Sequence, residues 1–116
     1  MTMPANFKIK NILLVDDDPV QNKLLESRLL HNGFNVKVTL DAAEGLQLAM
    51  NTSQDCIILD VMMPIINGFN FCHLLKSHEK HRNMAIILLT SRDKIEDVEI
   101  GLSMGADAYL IKPVNM

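Results

Sequence analysis

Three stretches of this chain are almost wholly apolar and too short for helices: NILLV at 11 to 15, CIIL at 56 to 59 and AIILL at 85 to 89. A run of this kind has no polar face to offer water. It is a strand buried on both sides, as in a parallel sheet covered by helices. The segment Asn35 to Leu40 alternates instead, Val36 and Val38 against Lys37 and Thr39, and reads as a strand nearer the sheet edge. Tyr109 to Ile111 supplies a fifth strand.

Helical segments fill the intervals, and several have readable ends. Asp18 before Pro19 is an N-cap and N1 pair, and Val20/Leu24 and Leu25/Leu29 recur at helical spacing. Gly33 stands where a C′ glycine stops a helix, so the first helix covers 19 to 31. Asp41 with Glu44 resembles a capping box opening a helix through Ala43, Leu46 and Met50. Asp93 with Glu96 repeats the device ahead of a helix that Gly105 closes. Another helix, over 68 to 80, follows Pro64 and the Asn67-Gly68 turn. The order β-α-β-α-β-α-β-α-β makes this an α/β protein, a doubly wound five-stranded parallel sheet with right-handed crossovers. The pattern alone leaves the strand order open.

In such a sheet every strand points its carboxyl end at one edge, where ligands bind. Four strand ends here pass from apolar residues into polar ones: Val15 into Asp16-Asp17, Leu59 into Asp60, Leu89 into Thr90 and Ile111 into Lys112. The topology therefore gathers three carboxylates, a hydroxyl and an ammonium in one place. Two carboxylates about 4 Å apart repel by roughly 4 kcal/mol at an effective dielectric near 20. That is a large fraction of a small domain's stability. Relief comes from a hard cation, a neighbouring ammonium or protonation of one acid. The acids at 16 to 18 also read as helix-start residues favoured by the helix dipole. That account suffices for Asp18 and not for Asp60, which precedes a loop.

Composition narrows the function. The 116 residues are 48% hydrophobic and 22% charged, which suits one compact domain with a real core. A net charge of -3, with 11 Lys and Arg scattered along the chain, leaves no basic footprint for nucleic acid. No apolar run approaches a membrane span, and MTMPANFKIK lacks the apolar core of a signal peptide, so a cytoplasmic location is expected. Cys56 and Cys72 lack metal-ligand spacing and read as reduced, buried thiols rather than a disulfide or metal site. His73, His78 and His81 do not share one helix side and read as a solvated face. The eight Met residues read as core and loop filler.

ILLVDDDP, IILDVMMPIINGF, LLTS and GADAYLIKP, in this order and spacing, resemble the receiver domain of two-component response regulators, over residues 10 to 114. The resemblance implies the flavodoxin-like strand order 2-1-3-4-5. It implies a phosphoacceptor at Asp60, taking a phosphoryl group from a sensor histidine kinase or a histidine phosphotransfer protein. It implies Mg²⁺ as cofactor, with Mn²⁺ or Ca²⁺ as substitutes, held by Asp17, Asp60 and the Met62 backbone carbonyl, and by Asp16 mainly through water. Lys112 would pair with the acids and then with the phosphoryl oxygens. Thr90 would turn its hydroxyl to the phosphoryl group, and Tyr109, otherwise an ordinary aromatic with a wet hydroxyl, would change rotamer with it. Lys112-Pro113 resembles the family's cis peptide. Downstream partners would meet the fourth helix and fifth strand.

The departures carry expectations of their own. Met62 and Arg92 stand where members of the family vary and tune loss of the phosphoryl group. Met62 has no side chain to orient water, so dephosphorylation is expected to be slow or moderate. The chain ends at Met116, just past the fifth strand, where receivers continue into a fifth helix. The expected organisation is an N-terminal tail over 1 to 9 and a receiver domain over 10 to 116, truncated after strand 5. The open face would favour association, such as a dimer. Two other classes fit less well: a receiver-shaped scaffold that is never phosphorylated, and a Mg²⁺-dependent phosphohydrolase, which commonly wants an acid where Met62 stands. The expected protein is a signalling phosphoacceptor with no enzymatic turnover beyond slow autodephosphorylation.

Overall fold

The computed structural model describes residues 9–61, 68–78, 84–91 and 98–112. Its elements follow the chain as β1 (Asn11–Val15), α1 (Pro19–His31), β2 (Asn35–Thr39), α2 (Ala42–Asn51), β3 (Cys56–Asp60), α3 (Gly68–Lys76), β4 (Ala85–Thr90), α4 (Val98–Ser103) and β5 (Ala108–Ile111). All pairings are parallel, and the sheet order is β2-β1-β3-β4-β5. This is the doubly wound flavodoxin-like order that the resemblance implied. Among the described residues, no helix is long and apolar enough to cross a membrane.

The fully apolar runs are the inner strands, as their composition requires: every residue of β3 and β4 is buried. The sheet separates two cores. On one face Leu13, Val15, Ile57, Leu59, Ile86 and Leu88 pack with Ala49 of α2 and Phe71 and Leu75 of α3. On the other, Ile12, Leu14, Cys56, Ile58, Ile87 and Leu89 pack with Leu25 and Leu29 of α1. Ile9 packs against this second core from just outside β1. Cys56 and Cys72 are free, and burial, reinforced at each by Asp107, pushes their thiols up to about 12 and about 11. The reduced, buried reading of both cysteines is what the structure holds.

Helix ends follow the expected chemistry with three differences. Asp18 caps α1 by accepting from the N–H groups of Val20 and Gln21 at 3.0 and 3.3 Å. Gly33 takes φ +92° and Gly105 φ +110°, the left-handed conformations that close α1 and α4. The first difference is the buried face of α1, formed by Asn22, Leu25 and Leu29; Val20 and Leu24 are 65% and 53% exposed. The second is at α2, where Asp41 caps Ala43 N–H at 2.9 Å but its own N–H goes to Thr39 Oγ1 at 3.2 Å, so Glu44 closes no box. The third is α3, which stops at Lys76 rather than 80. There the Ser77 hydroxyl and N–H both donate to His73 O, at 2.7 and 3.0 Å, and His78 N–H tightens the last turn onto Leu75 O at 3.1 Å. His73 and His78 lie exposed at this end. Pro64, Asn67, His81, Arg92, Asp93, Glu96, Pro113 and Met116 lie outside the described residues.

Candidate functional site

Strand parity assembles the site. Successive side chains of a strand alternate faces, so 12-14-16, 56-58-60 and 108-110-112 each continue a row of the α1-side core. The last members of those rows are Asp16, Asp60 and Lys112, carried to the carboxyl edge by three strands. The register sets Asp16 level with Asp60 and Lys112 two places farther along, past the Leu110 that is level with Asp60 through Leu89. Val15 pairs with Leu59, and Asp60 with Leu89. Beyond β5, Lys112 N–H donates to Thr90 O at 2.8 Å.

The result is a compact acid cluster around one ammonium. Lys112 Nζ lies 2.9 Å from Asp16 Oδ2 and 3.2 Å from Asp60 Oδ2. One carboxylate oxygen from each of Asp16, Asp17 and Asp60 lies within 4.8 Å of the others. Asp16 is fully buried at 0% exposure and Asp60 nearly so at 7%, while Asp17 is exposed. Burial by itself would push the Lys112 ammonium toward the neutral form. The ion pairs with Asp16 and Asp60 outweigh it and hold the lysine pKa above its usual value.

The oxygens of Asp16 are divided in their work. Oδ1 accepts from Asp18 N–H at 3.1 Å, which ties the carboxylate into the turn. Oδ2 has Lys112 beside it at 2.9 Å, close enough for an ion pair but not aligned as a hydrogen bond. Among the described residues no donor hydrogen-bonds this buried atom. An acid oxygen in that condition, in a cluster offering only carboxylate ligands, suits a hard divalent cation such as Mg²⁺. Met62, the expected carbonyl ligand, is outside the described residues.

Thr90 and Tyr109 come from β4 and β5. Thr90 ends β4 and is 2% exposed, and its hydroxyl donates to Ser91 O at 3.3 Å. By parity it continues the row of Ile86 and Leu88, so it approaches the edge from the α2–α3 side. Tyr109 pairs with Leu88 in register and is 40% exposed. It alternates with Ala108 and Leu110, which face the α1-side core. The structure thus joins Asp16, Asp17, Asp60 and Lys112 in one cluster, sets Thr90 on the neighbouring strand end, and leaves Tyr109 at the surface of β5.

Of two further residues at the site, the sequence marked Gly68 only as part of a turn ahead of α3 and did not mark Asn22. Gly68 opens α3 directly against the end of β3: a Cβ there would meet Asp60 O at 2.7 Å and Val61 Cα at 2.8 Å. Its role is room, not a turn conformation. Asn22 is a polar residue on the buried face of α1, and its amide donates to Asp16 O at 2.6 Å. The available signal was its spacing, since 22, 25 and 29 form one helical stripe in which an amide replaces a hydrophobe.

The family model of the response regulator receiver domain matches residues 12–116. Among curated proteins, the response regulator MprA of a Mycobacterium species is 40% identical over 102 residues, a match covering 88% of this chain and 44% of MprA. The chain spans about half the length of the curated relatives it matches. The solved chemotaxis response regulator CheY4 of Vibrio cholerae superposes with a TM-score of 0.85 at 30% identity, covering 93% of this chain and 90% of that one. The receiver domain of the sensor histidine kinase PA1611 from Pseudomonas aeruginosa, solved with a magnesium ion coordinated in its active site cleft, gives 0.82 at 30% identity, covering 93% and 88%.

Proposed function

The chain belongs to the response regulator receiver domain family, and from that premise we propose that Asp60 accepts a phosphoryl group from a phosphohistidine of a sensor kinase or phosphotransfer protein. One observation carries the reading: three acid oxygens within 4.8 Å of one another beside a lysine paired to two of them. A packed core gains nothing from that arrangement, whereas phosphoryl transfer needs positioned charge more than covalent machinery.

The chemistry assigned to the residues is short. An Asp60 carboxylate oxygen attacks phosphorus, the phosphorus–nitrogen bond breaks, and the imidazole leaves with the bonding pair, so Asp60 becomes an acyl phosphate. Asp17 and Asp60 would hold Mg²⁺, with Asp16 helping through water and the Met62 carbonyl completing the set; the ion offsets charge on the phosphoryl oxygens. Lys112 sits where its ammonium can exchange a carboxylate partner for a phosphoryl oxygen. Thr90 presents its hydroxyl from β4, and Tyr109, at the surface of β5, is the group through which the change reaches α4 and its partners. The output is altered partner contact rather than product.

Intact-protein mass after incubation with acetyl phosphate and Mg²⁺ tests the proposal, beside Asp60→Asn and a sample with EDTA. The expected result is one phosphoryl increment on the unmodified chain and none on either control. No increment on demonstrably folded protein would leave an unphosphorylated scaffold, and steady turnover of phosphoesters a hydrolase.

A further inference from the structure

The peptide that joins Asp16 to Asp17 is gripped by a side chain from outside the acid cluster. The β1 ladder ends at Val15, paired with Thr39 on one side and Leu59 on the other. Asp16 N–H still reaches Thr39 O at 3.3 Å, but the carbonyl of Asp16 has run past the sheet. A buried carbonyl needs a donor. It finds one in the side-chain amide of Asn22, 2.6 Å away on the first turn of α1 and only 3% exposed. The acceptor is a carbonyl, so the amide must turn its NH₂ toward it.

This contact has leverage because of peptide planarity. The carbonyl of Asp16 and the nitrogen of Asp17 belong to one rigid plane, so gripping the oxygen fixes the direction in which the Asp17 Cα and its carboxylate leave the strand. Asn22 also closes the turn from its other donor, its backbone N–H reaching Asp18 O at 3.0 Å. Asp18 N–H in turn holds Asp16 Oδ1 at 3.1 Å, which turns Oδ2 toward Lys112. Asn22, Asp16 and Lys112 line one small cavity with Leu25 and Leu89 beneath them. Among the described residues, the hydrogen bonds on the Asp16 carbonyl and on its Oδ1 both come from within residues 16 to 22, with Asn22 as the inner anchor, while Thr39 and Lys112 hold Asp16 from outside the turn.

We propose that Asn22 is a positioning residue for divalent-cation binding by Asp16 and Asp17, an inference that rests on the receiver reading of the acid cluster. Without its NH₂ the 16–17 peptide is free to rotate, and the carboxylates lose their common aim while the fold persists. Orienting partners one step removed from a metal typically account for about 10–100-fold in affinity. Asn22→Leu keeps the volume and removes the donor. Asn22→Ser is a milder variant, its hydroxyl too short to span the gap. Leu29→Ala, on the same buried stripe, is a control for loss of packing alone.

Mg²⁺ titration followed by the Asp17 and Asp18 amide resonances gives the affinity of folded protein, and the same resonances in EDTA report the turn itself. The expected result is a dissociation constant raised about tenfold or more for Asn22→Leu, with the Asp17 amide displaced even without Mg²⁺. Asn22→Ser should move the same way, and Leu29→Ala should lose thermal stability while binding Mg²⁺ like the unmodified chain. Unchanged affinity and an unchanged Asp17 amide in either Asn22 variant overturn the positioning role and leave the receiver reading standing. Absence of Mg²⁺ binding by the unmodified chain overturns both.

Discussion

Lys112 is the residue on which the charge balance of the site turns. Its folded pKa is raised against the opposing pull of burial because Asp16 and Asp60 reward its charged form. The associated stability is therefore complete below the unfolded lysine value, about 10.4, and is lost as pH climbs through the higher folded value. Urea denaturation at steps from pH 8 to 11 should show a loss at the alkaline end that is smaller in Lys112→Met, since that variant has no such group to deprotonate. Equal alkaline losses in the two proteins would mean that the ammonium contributes nothing specific. Asp55 shows the mirror case at the other sheet edge. Its Oδ2 accepts from the backbone N–H groups of Asn11 and Lys10 at 2.9 Å each, which holds its pKa low, so that contribution fades as pH falls below the ordinary carboxylate range.

Among the elements, the joint between β3 and α3 is set by a missing side chain. Gly68 N–H donates to Val61 O at 2.9 Å, and a Cβ at 68 would fall 2.7 Å from Asp60 O and 2.9 Å from Leu59 Cδ1. Gly68→Ala must push α3 away from β3, and overpacking of this kind costs about 1–3 kcal/mol. The nearest atom is the carbonyl of Asp60 itself, so the acetyl phosphate reaction should slow along with the loss of stability. A thermal melt and a time course of the mass increment check both, and a variant with unaltered stability and rate would refute the close approach. Strands, caps and the edge where polar residues collect were legible in the sequence because each rests on local chemistry: uninterrupted apolar runs, Asp18 before Pro19, glycines at helix ends. Strand order came from family resemblance, since five strands and four crossovers permit several arrangements. The buried face of α1 was harder to read because Val20 and Leu24 have the same helical spacing as the Leu25 and Leu29 that are buried. Gly68 and Asn22 serve neighbours 8 and 6 positions away in sequence, contacts that no local pattern announces.

For the whole molecule, the acid edge is a localised electrostatic load on a domain whose two cores are otherwise apolar. A cation that binds only the folded chain should relieve it by mass action. At ten times its dissociation constant, Mg²⁺ would add about 1.4 kcal/mol, a shift of several degrees in Tm for a domain of this size. Melts with Mg²⁺, with EDTA, and with Asp17→Asn in Mg²⁺ make the comparison, and a shift that survives Asp17→Asn would place the ion elsewhere. The row of side chains that ends in Asp16, Asp60 and Lys112 has a further consequence for how such a chain can change over generations. The three belong together only because each stands an even number of places along its strand from a residue of the α1-side core. Slipping one strand by a single residue would turn its member to the opposite face. Substitutions can therefore adjust this site one position at a time, whereas insertions and deletions are confined to loops. A frame of odd and even positions is inherited along with the residues themselves.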